Sequence, residues 1–350
     1  MSAITLSAPP LPKDGPTNKI CFFSINYITL IKPWYIIYIT HTLTKFGVML
    51  KLSVHLLTYN SEKFISECLD SILEQKTTFL FDIVIGDDAS TDKTVDIINT
   101  YTNIHDNIKL KVQNSNLGVL NNFIDTLHRC NAEYVYDIAG DDWLSETHAL
   151  QTLVDELDQN PSFSFVDSGF DCYYQRTGKI KSFVNKNIVT SAKKDYIARH
   201  KVYGTSFMGC CYRKSFIKKF VNFDEYLRQN MDFEDYPILT DLIMKSDFGL
   251  IPKTLSVYRK HRDSHSLNAD SHLRVKLYFA KKYNYSKDEF EKIHQVHEEQ
   301  MLHNASLTSD KKSGRKHYKP FRQPVLRNFV YFLSSQSDLV RKFFNLFRKI

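Results

Sequence analysis

Glycine and tryptophan are scarce in this chain, with 11 Gly and 2 Trp among 350 residues. That scarcity excludes the glycine-rich loops that cradle phosphate. Gly204 and Gly209 have the spacing of a P-loop, but Cys210 stands where its lysine is needed. The six cysteines (Cys21, Cys68, Cys130, Cys172, Cys210 and Cys211) include no C-x-x-C pair and no zinc spacing, and they read as reduced thiols of a cytosolic protein. Uninterrupted apolar runs of about 20 residues, the length that crosses a bilayer, are also lacking. Ile20–Ile39 comes nearest and is broken by Asn26, Lys32 and Pro33. It starts too late, and lacks the small-residue cleavage site, for a signal peptide. Residues 1–48 are therefore expected to be an N-terminal extension, either a mis-assigned start before Met49 or a loose membrane anchor.

A net positive charge is missing from most of the chain. The net charge is +7, yet residues 311–350 alone hold eleven Lys/Arg against the single acid Asp338, which leaves 35 basic and 38 acidic residues before them. A slightly acidic body argues against nucleic acid as a partner, and a basic tail suits an anionic surface. In that tail Leu339, Phe343, Phe347 and Ile350 recur every three or four residues, with Arg341, Lys342, Arg348 and Lys349 mostly elsewhere on the wheel. Residues 337–350 are expected to form a basic amphipathic helix that touches a membrane peripherally, or packs as a terminal helix.

The body, 43% hydrophobic over the whole chain, alternates between strand and helix periods. Leu52–Leu57 reads as strand, and Asn60 or Ser61 as the cap of a helix with Phe64, Ile65, Cys68, Leu69, Ile72 and Leu73 on one face. Phe81–Ile85 is strand, Ser90 or Thr91 caps the next helix, and Ile108–Val112 is strand. Leu120–Cys130 is helix, Tyr134–Ile138 strand and His148–Leu157 helix. Phe163–Ile197 degrades into short runs, expected to form a lobe for the acceptor. Ile238–Met244 reads as helix, Leu250–Tyr258 as an edge strand interrupted by Pro252, and Thr308–Arg315 as a charged linker. The alternation predicts an α/β protein with a mainly parallel sheet flanked by helices.

Polar clusters follow three of those strands: Thr58-Tyr59-Asn60, Asp87-Asp88 and Gly140-Asp141-Asp142. Open α/β sheets bind ligands at the carboxyl ends of their strands. Carboxylate pairs gathered there repel each other unless a divalent cation or a polar ligand compensates them. A metal-bound nucleoside diphosphate fits that need.

With Asn116-Leu117-Gly118, Glu234-Asp235-Tyr236-Pro237 and Tyr258-Arg259-Lys260-His261 added in order, the set resembles family 2 glycosyltransferases with the GT-A fold, over about Leu52 to Ser266. The resemblance implies a GT-A domain over 49–268 followed by a basic helical C-terminal extension over 269–350. It also implies a nucleotide-diphosphate sugar donor, with a UDP-sugar favoured, and a saccharide or lipid-linked acceptor. Surface polysaccharide or lipid-linked glycan synthesis, cytoplasmic or at the inner face of the cell membrane, is the setting it suggests. Asp88 takes the role of base recognition, with Thr58, Tyr59, Asn60, Asn116 and Gly118 around the nucleotide and Asp141 as a ribose or outer contact. Asp142 is the expected ligand of Mg²⁺ or Mn²⁺, and His261 a second candidate ligand or a diphosphate contact. Asp235 takes the place of the general base that an inverting transfer requires, with Glu234 as the alternate. Arg259 either faces phosphate or pairs with an acid. Two other readings remain: a nucleotide-sugar-binding protein without catalysis, and a sugar-phosphate nucleotidylyltransferase. Against the second, the turn after the first strand is Asn60-Ser61-Glu62-Lys63, without glycine.

Overall fold

The computed structural model describes residues 50–182, 192–205, 207–261, 269–308, 310–318 and 326–347. The expectation for residues 1–48 falls outside them. Four β–α alternations open the described chain: β1 Leu50–Thr58, α1 Ile65–Leu73, β2 Leu80–Asp87, α2 Thr94–Thr102, β3 Ile108–Val112, α3 Val119–Arg129, β4 Tyr134–Ala139, β5 Trp143–Leu144 and α4 Ala149–Gln159. There follow β6 Phe163–Asp167, β7 Phe170–Tyr174, β8 Lys179–Ser182, α5 Ala192–Tyr203, β9 Cys210–Arg213, α6 Lys214–Phe220, α7 Phe223–Arg228, α8 Asp235–Lys245, β10 Asp247–Leu250 and β11 Ser256–Lys260. Five helices close it: α9 Ala269–Lys282, α10 Lys287–Thr308, α11 Lys311–His317, α12 Leu326–Gln336 and α13 Asp338–Phe347.

The central sheet runs β10-β6-β9-β4-β1-β2-β3, and β9 alone is antiparallel to its neighbours β4 and β6. Parallel strands need apolar cover on both faces, and the alternation of β1 and β2 provides it. Leu52, Val54, Leu56, Ile83 and Ile85 pack with Ile65, Leu69 and Leu153 on one face. Val84 joins Phe123, Leu127, Phe165, Leu239 and Phe279 on the other. The expected GT-A architecture, a mainly parallel sheet flanked by helices, is the one observed.

Several local expectations are corrected. Leu250–Tyr258 is not one strand: β10 ends the central sheet, and β11 lies in a second sheet of order β5-β11-β7-β8, with Pro252 in the connection. Proline has no N–H to carry a ladder across that point. Phe163–Asp167 belongs to the central sheet, so only β7 and β8 of the supposed lobe stand apart from it. Thr308–Arg315 is no linker. Asp310 accepts a 3.0 Å hydrogen bond from Ser313 N and starts α11, whose Gly314 lies so close to Ser335 that an added Cβ would sit 1.9 Å from the hydroxyl.

Neither Asn60 nor Ser90 caps a helix; they stitch two loops together instead. Asn60, at a positive φ of 52°, donates its N–H to Ser90 Oγ at 2.8 Å and accepts from Thr91 N at 2.8 Å. Asp92 closes the start of α2 by accepting from Thr94 N at 2.9 Å. Among the described residues no helix is long and apolar enough to cross a membrane. Leu339 on α13 is 78% exposed, whereas the side chains of Phe343, Phe347 and Ile350, the rest of the tail's stripe, lie outside the described residues.

Close packing of α3 on β2 depends on Gly86, where an added Cβ would fall 1.9 Å from Thr126 Oγ1 and 2.9 Å from Asn122 Oδ1. Gly86→Ala is expected to destabilise the protein by about 1–3 kcal/mol through overpacking. Adding Thr126→Ala should recover part of that loss. Urea denaturation of both variants measures it, and an undiminished midpoint for Gly86→Ala would contradict the packing described.

Candidate functional site

The carboxyl ends of β1, β2 and β4 open into a pocket of about 520 Å³ whose lining includes Thr58, Tyr59, Asn60, Asp88, Asp141 and Asp142. Glu234 and His261 complete its polar wall. A second cavity of about 250 Å³ adjoins it and shares Asp142, Glu234 and Tyr258. Asp235 lines this inner cavity, with His55, Asp137 and the rings of Phe123, Phe207 and Phe233.

Local backbone chemistry sets each group. Asp87 N-caps nothing helical; its carboxylate accepts from Ser90 N at 2.8 Å and from Ser90 Oγ at 2.5 Å, closing the turn after β2. Asp88 is thereby left to point the other way. Its two oxygens accept from Leu117 N at 2.6 Å and Gly118 N at 3.0 Å. Asn116 Oδ1 accepts from the same Gly118 N at 3.0 Å. Gly118 thus meets Asp88, and Asn116 meets Gly118, without either lining a cavity, and the loop they form positions that carboxylate. Gly140 allows β4 to end against β1, since an added Cβ would lie 2.7 Å from Thr58 Oγ1.

Asp142 is buried, and its Oδ1 accepts from Arg259 N at 2.7 Å. Burial, and then the Asp141 charge, hold its carboxyl well above the usual carboxylate range. His261 Nε2 lies 3.0 Å from Asp141 Oδ2, so the imidazole meets the first acid of the pair. Arg259 pairs with an acid: its guanidinium reaches Glu67 Oε2 at 2.5 Å, donates to Gln175 Oε1 at 2.7 Å and lies 4.3 Å from the Trp143 ring.

Among the described residues no group of three or more His, Cys, Asp or Glu converges as a ready-made metal cage. Mg²⁺ and Mn²⁺ need none when a substrate diphosphate supplies further oxygens, because one or two carboxylates then suffice. Asp142 and Asp141 fit that donor set, and a bound cation would offset the burial and the Asp141 charge that raise the Asp142 carboxyl.

Glu234 and Asp235 begin α8. Asp235 Oδ1 accepts from Tyr236 N at 2.6 Å, while Glu234 Oε2 is buried without a hydrogen-bond partner. Burial, then the adjacent Asp235 charge, push Glu234 up to about 8. Burial pushes Asp235 up to about 6, opposed by the Tyr236 amide and the Lys276 charge. Lys276 reaches across from α9, donating to Val202 O and Tyr203 O, both at 2.9 Å. Two neighbouring carboxyls whose environments pull them apart in this way divide into a base and an acid near neutral pH.

The sequence reading missed His55 and Asp137, the polar groups of the inner cavity, and its aromatic wall. A signal was present. Each is a charged or polar residue in the middle of an otherwise apolar strand, at positions that β1 and β4 pair directly.

Comparison with known proteins agrees with this architecture. Residues 53–221 match the family model described as Glycosyl transferase family 2. An uncharacterized protein of Mycobacterium tuberculosis is 27% identical over 212 residues, which cover 60% of this chain and 59% of that protein. Poly(ribitol-phosphate) beta-N-acetylglucosaminyltransferase TarS of Staphylococcus aureus is 36% identical over 102 residues, 28% of this chain and 17% of TarS. The crystal structure of a TarS chain in complex with UDP-GlcNAc covers 83% of each chain at a TM-score of 0.53 and 19% identity. A mannosyltransferase from Pyrobaculum calidifontis, in complex with GDP-Man and Mn²⁺, covers 81% of this chain and 85% of that one at a TM-score of 0.50 and 16% identity. At such identities the solved structures speak for the fold.

Glu234 holds its proton more tightly in the folded protein than its ordinary value of 4.5 allows. The stability that this confers is full below pH 4.5 and is lost as pH rises toward about 8. Glu234→Gln is therefore expected to melt at a higher temperature than the wild type at pH 8 and to converge with it at pH 4.5. Thermal melts across that range provide the check, and a difference independent of pH would contradict the environment described.

Proposed function

We propose, from the premise that this chain carries a glycosyl transferase family 2 domain over residues 53–221, that it transfers a sugar from a nucleoside diphosphate sugar to a hydroxyl acceptor with inversion. The observation that carries this reading is the convergence of two acidic pairs on adjoining cavities, Asp141-Asp142 at the end of β4 and Glu234-Asp235 at the start of α8. One pair suits a diphosphate with its cation, and the other suits a hydroxyl nucleophile.

In the larger pocket Asp88, fixed by the amides of Leu117 and Gly118, retains lone pairs that can accept from a base imide N–H. Tyr59, 39% exposed, offers a ring surface to the base. A UDP-sugar is the favoured donor. The UDP-GlcNAc bound to TarS supports that choice, as does the match between an acceptor-only carboxylate and the uracil imide. Asp142, with Asp141 beside it, would hold Mg²⁺ or Mn²⁺, which when bound offsets the charge that develops on the departing diphosphate. His261 orients Asp141 through their 3.0 Å contact.

On the acceptor side Asp235 takes the proton of the attacking hydroxyl. The Tyr236 amide and Lys276 keep it the more acidic of the pair, so it is ionised at neutral pH while Glu234 still carries its proton. The oxygen forms its bond to the anomeric carbon as the bond to the diphosphate breaks, and a single displacement inverts the centre. The relatives' names make an anionic or saccharide surface polymer the favoured class of acceptor.

Asp142→Asn keeps an acceptor for Arg259 N but removes the charge. It is expected to melt no lower than the wild type and to lose Mn²⁺-dependent binding of UDP-sugars. Binding unaffected by EDTA would exclude the metal role.

Asp235→Asn is expected to bind the nucleotide sugar normally while transfer falls by roughly 10²–10⁴. Transfer by the wild type should rise with pH through about 6 as Asp235 loses its proton, and its product should have inverted anomeric configuration. Were Glu234 the base, the rise would centre near 8 and Glu234→Gln would stop transfer. Retained configuration would refute single displacement altogether.

A further inference from the structure

The second sheet carries a row of basic and aromatic side chains that starts at the mouth of the cavities. Residues two apart along a strand share a face of the sheet, and so do residues paired directly across it. Tyr258 of β11 pairs with Cys172 of β7, and Cys172 with Lys181 of β8. Two residues further along β11, Lys260 pairs with Tyr174, and Tyr174 with Lys179. Tyr258, Lys260, Tyr174, Lys179 and Lys181 therefore lie on one face. Two contacts agree with that placement. Lys260 Nζ sits 6.0 Å from the centre of the Tyr174 ring, and the charges of Lys260 and Lys181 both act on the Cys172 thiol.

Tyr258 lines both cavities, so the row begins where the two adjoin. Its three lysines are exposed. The single acid between Phe170 and Ser182 is Asp171, which pairs with Val257 and Ser182 and so belongs to the opposite face. There it accepts from Ser182 Oγ at 2.5 Å. A face without acids of its own stands out in a body whose 38 acidic residues outnumber its 35 basic ones.

Lysines on an edge strand guard it against pairing with another chain. That accounts for Lys179 and Lys181, because β8 ends the sheet order β5-β11-β7-β8. It does not account for Lys260, which extends the row onto the interior strand β11, nor for the two tyrosines beside the lysines. An ammonium is a compact charge suited to anionic oxygens, and a tyrosine ring offers an apolar surface with a polar tip. From β11 to β8 the row crosses two strand spacings, about 10 Å. A ligand that matches it is extended, hydroxylated and charged at more than one point.

We infer that this face binds the acceptor, and that the acceptor is a glycan or polyol chain carrying repeated negative charges. Lys260, Lys179 and Lys181 meet its anionic groups, and its terminal hydroxyl passes Tyr258 toward Asp235. The inference rests on the nucleotide-sugar reading above and adds to it the chemical class of the acceptor.

The test uses the full chain at low salt. Calorimetry measures binding to poly(glycerol phosphate), to the carboxylated glycan hyaluronan and to neutral dextran, and sedimentation measures binding to phosphatidylglycerol vesicles. The wild type is expected to bind an anionic polymer and to ignore dextran. A variant combining Lys179→Gln, Lys181→Gln and Lys260→Gln should bind that polymer about 10–100-fold more weakly, as for the loss of three exposed ionic contacts. Its Mn²⁺-dependent binding of UDP-sugars should be unchanged. A second variant, with Lys311→Gln, Lys312→Gln and Lys316→Gln on α11, loses the same charge elsewhere and should bind the polymer as the wild type does.

Dextran bound as tightly as the anionic polymers would overturn the proposal. So would equal polymer binding by the wild type and the first variant, or equal losses in the two variants. Wild type that binds the vesicles and neither anionic polymer would overturn it as well. Polymer binding that depends on Lys179, Lys181 and Lys260 in a folded protein that binds no nucleotide sugar would uphold the anionic surface and sink the transferase reading instead.

Discussion

Six carboxyl groups of this protein line two adjoining cavities, and keeping them there without mutual repulsion is the constraint that most of the surrounding structure answers. Asp88 is met by two backbone amides from the loop before α3. Asp141 is met by His261, Asp142 by the Arg259 amide, and Asp235 by the amide of its own helix start. Asp137 is met by an imidazole and a phenol. These partners come from several elements, so the ends of the central sheet, the loop before α3 and the second sheet are tied to one another through the acids themselves. Glu234, the group with least compensation, is the one that keeps its proton furthest above its ordinary range among the two at α8.

The two halves of the cleft solve this problem differently. Asp88 and Asp142 are held by backbone amides, those of Leu117 and Gly118 in the loop before α3 and that of Arg259 on β11. Around Asp235 and Asp137 the control comes also from side chains far along the sequence, Lys276 from α9 and Tyr212 from β9.

This division explains what could be read in the sequence. The strand-to-polar transitions at Thr58, Asp87 and Asp141 are local in the chain, and an alternating α/β pattern dictates where such residues end up. The sheet and the polar edge of the larger pocket were legible for that reason. The His55–Asp137 pair was not, because it depends on the register between β1 and β4, which no local pattern states. Leu250–Tyr258 misled for a related reason: its apolar residues suit two different sheets, and only the tertiary contacts of β10 and β11 assign each part. The helix at Lys311–His317 was hidden because its residues are mostly charged, and what holds it is the packing of Gly314 against Ser335, not an apolar stripe.

The helix α9 has an implication for the order in which the molecule can be made. Chains emerge from the ribosome beginning with their N-terminal end and start folding as they do so. Strands β1 to β4, and with them the edge where Asp88 and Asp142 sit, are complete long before α8 appears. The apolar side of α8 then lacks the part of its cover that Val275 and Phe279 of α9 supply, and Asp235 lacks the Lys276 charge until the same moment. A nascent chain would thus hold the edge with Asp88 and Asp142 in place while the surroundings of Glu234 and Asp235 were still incomplete.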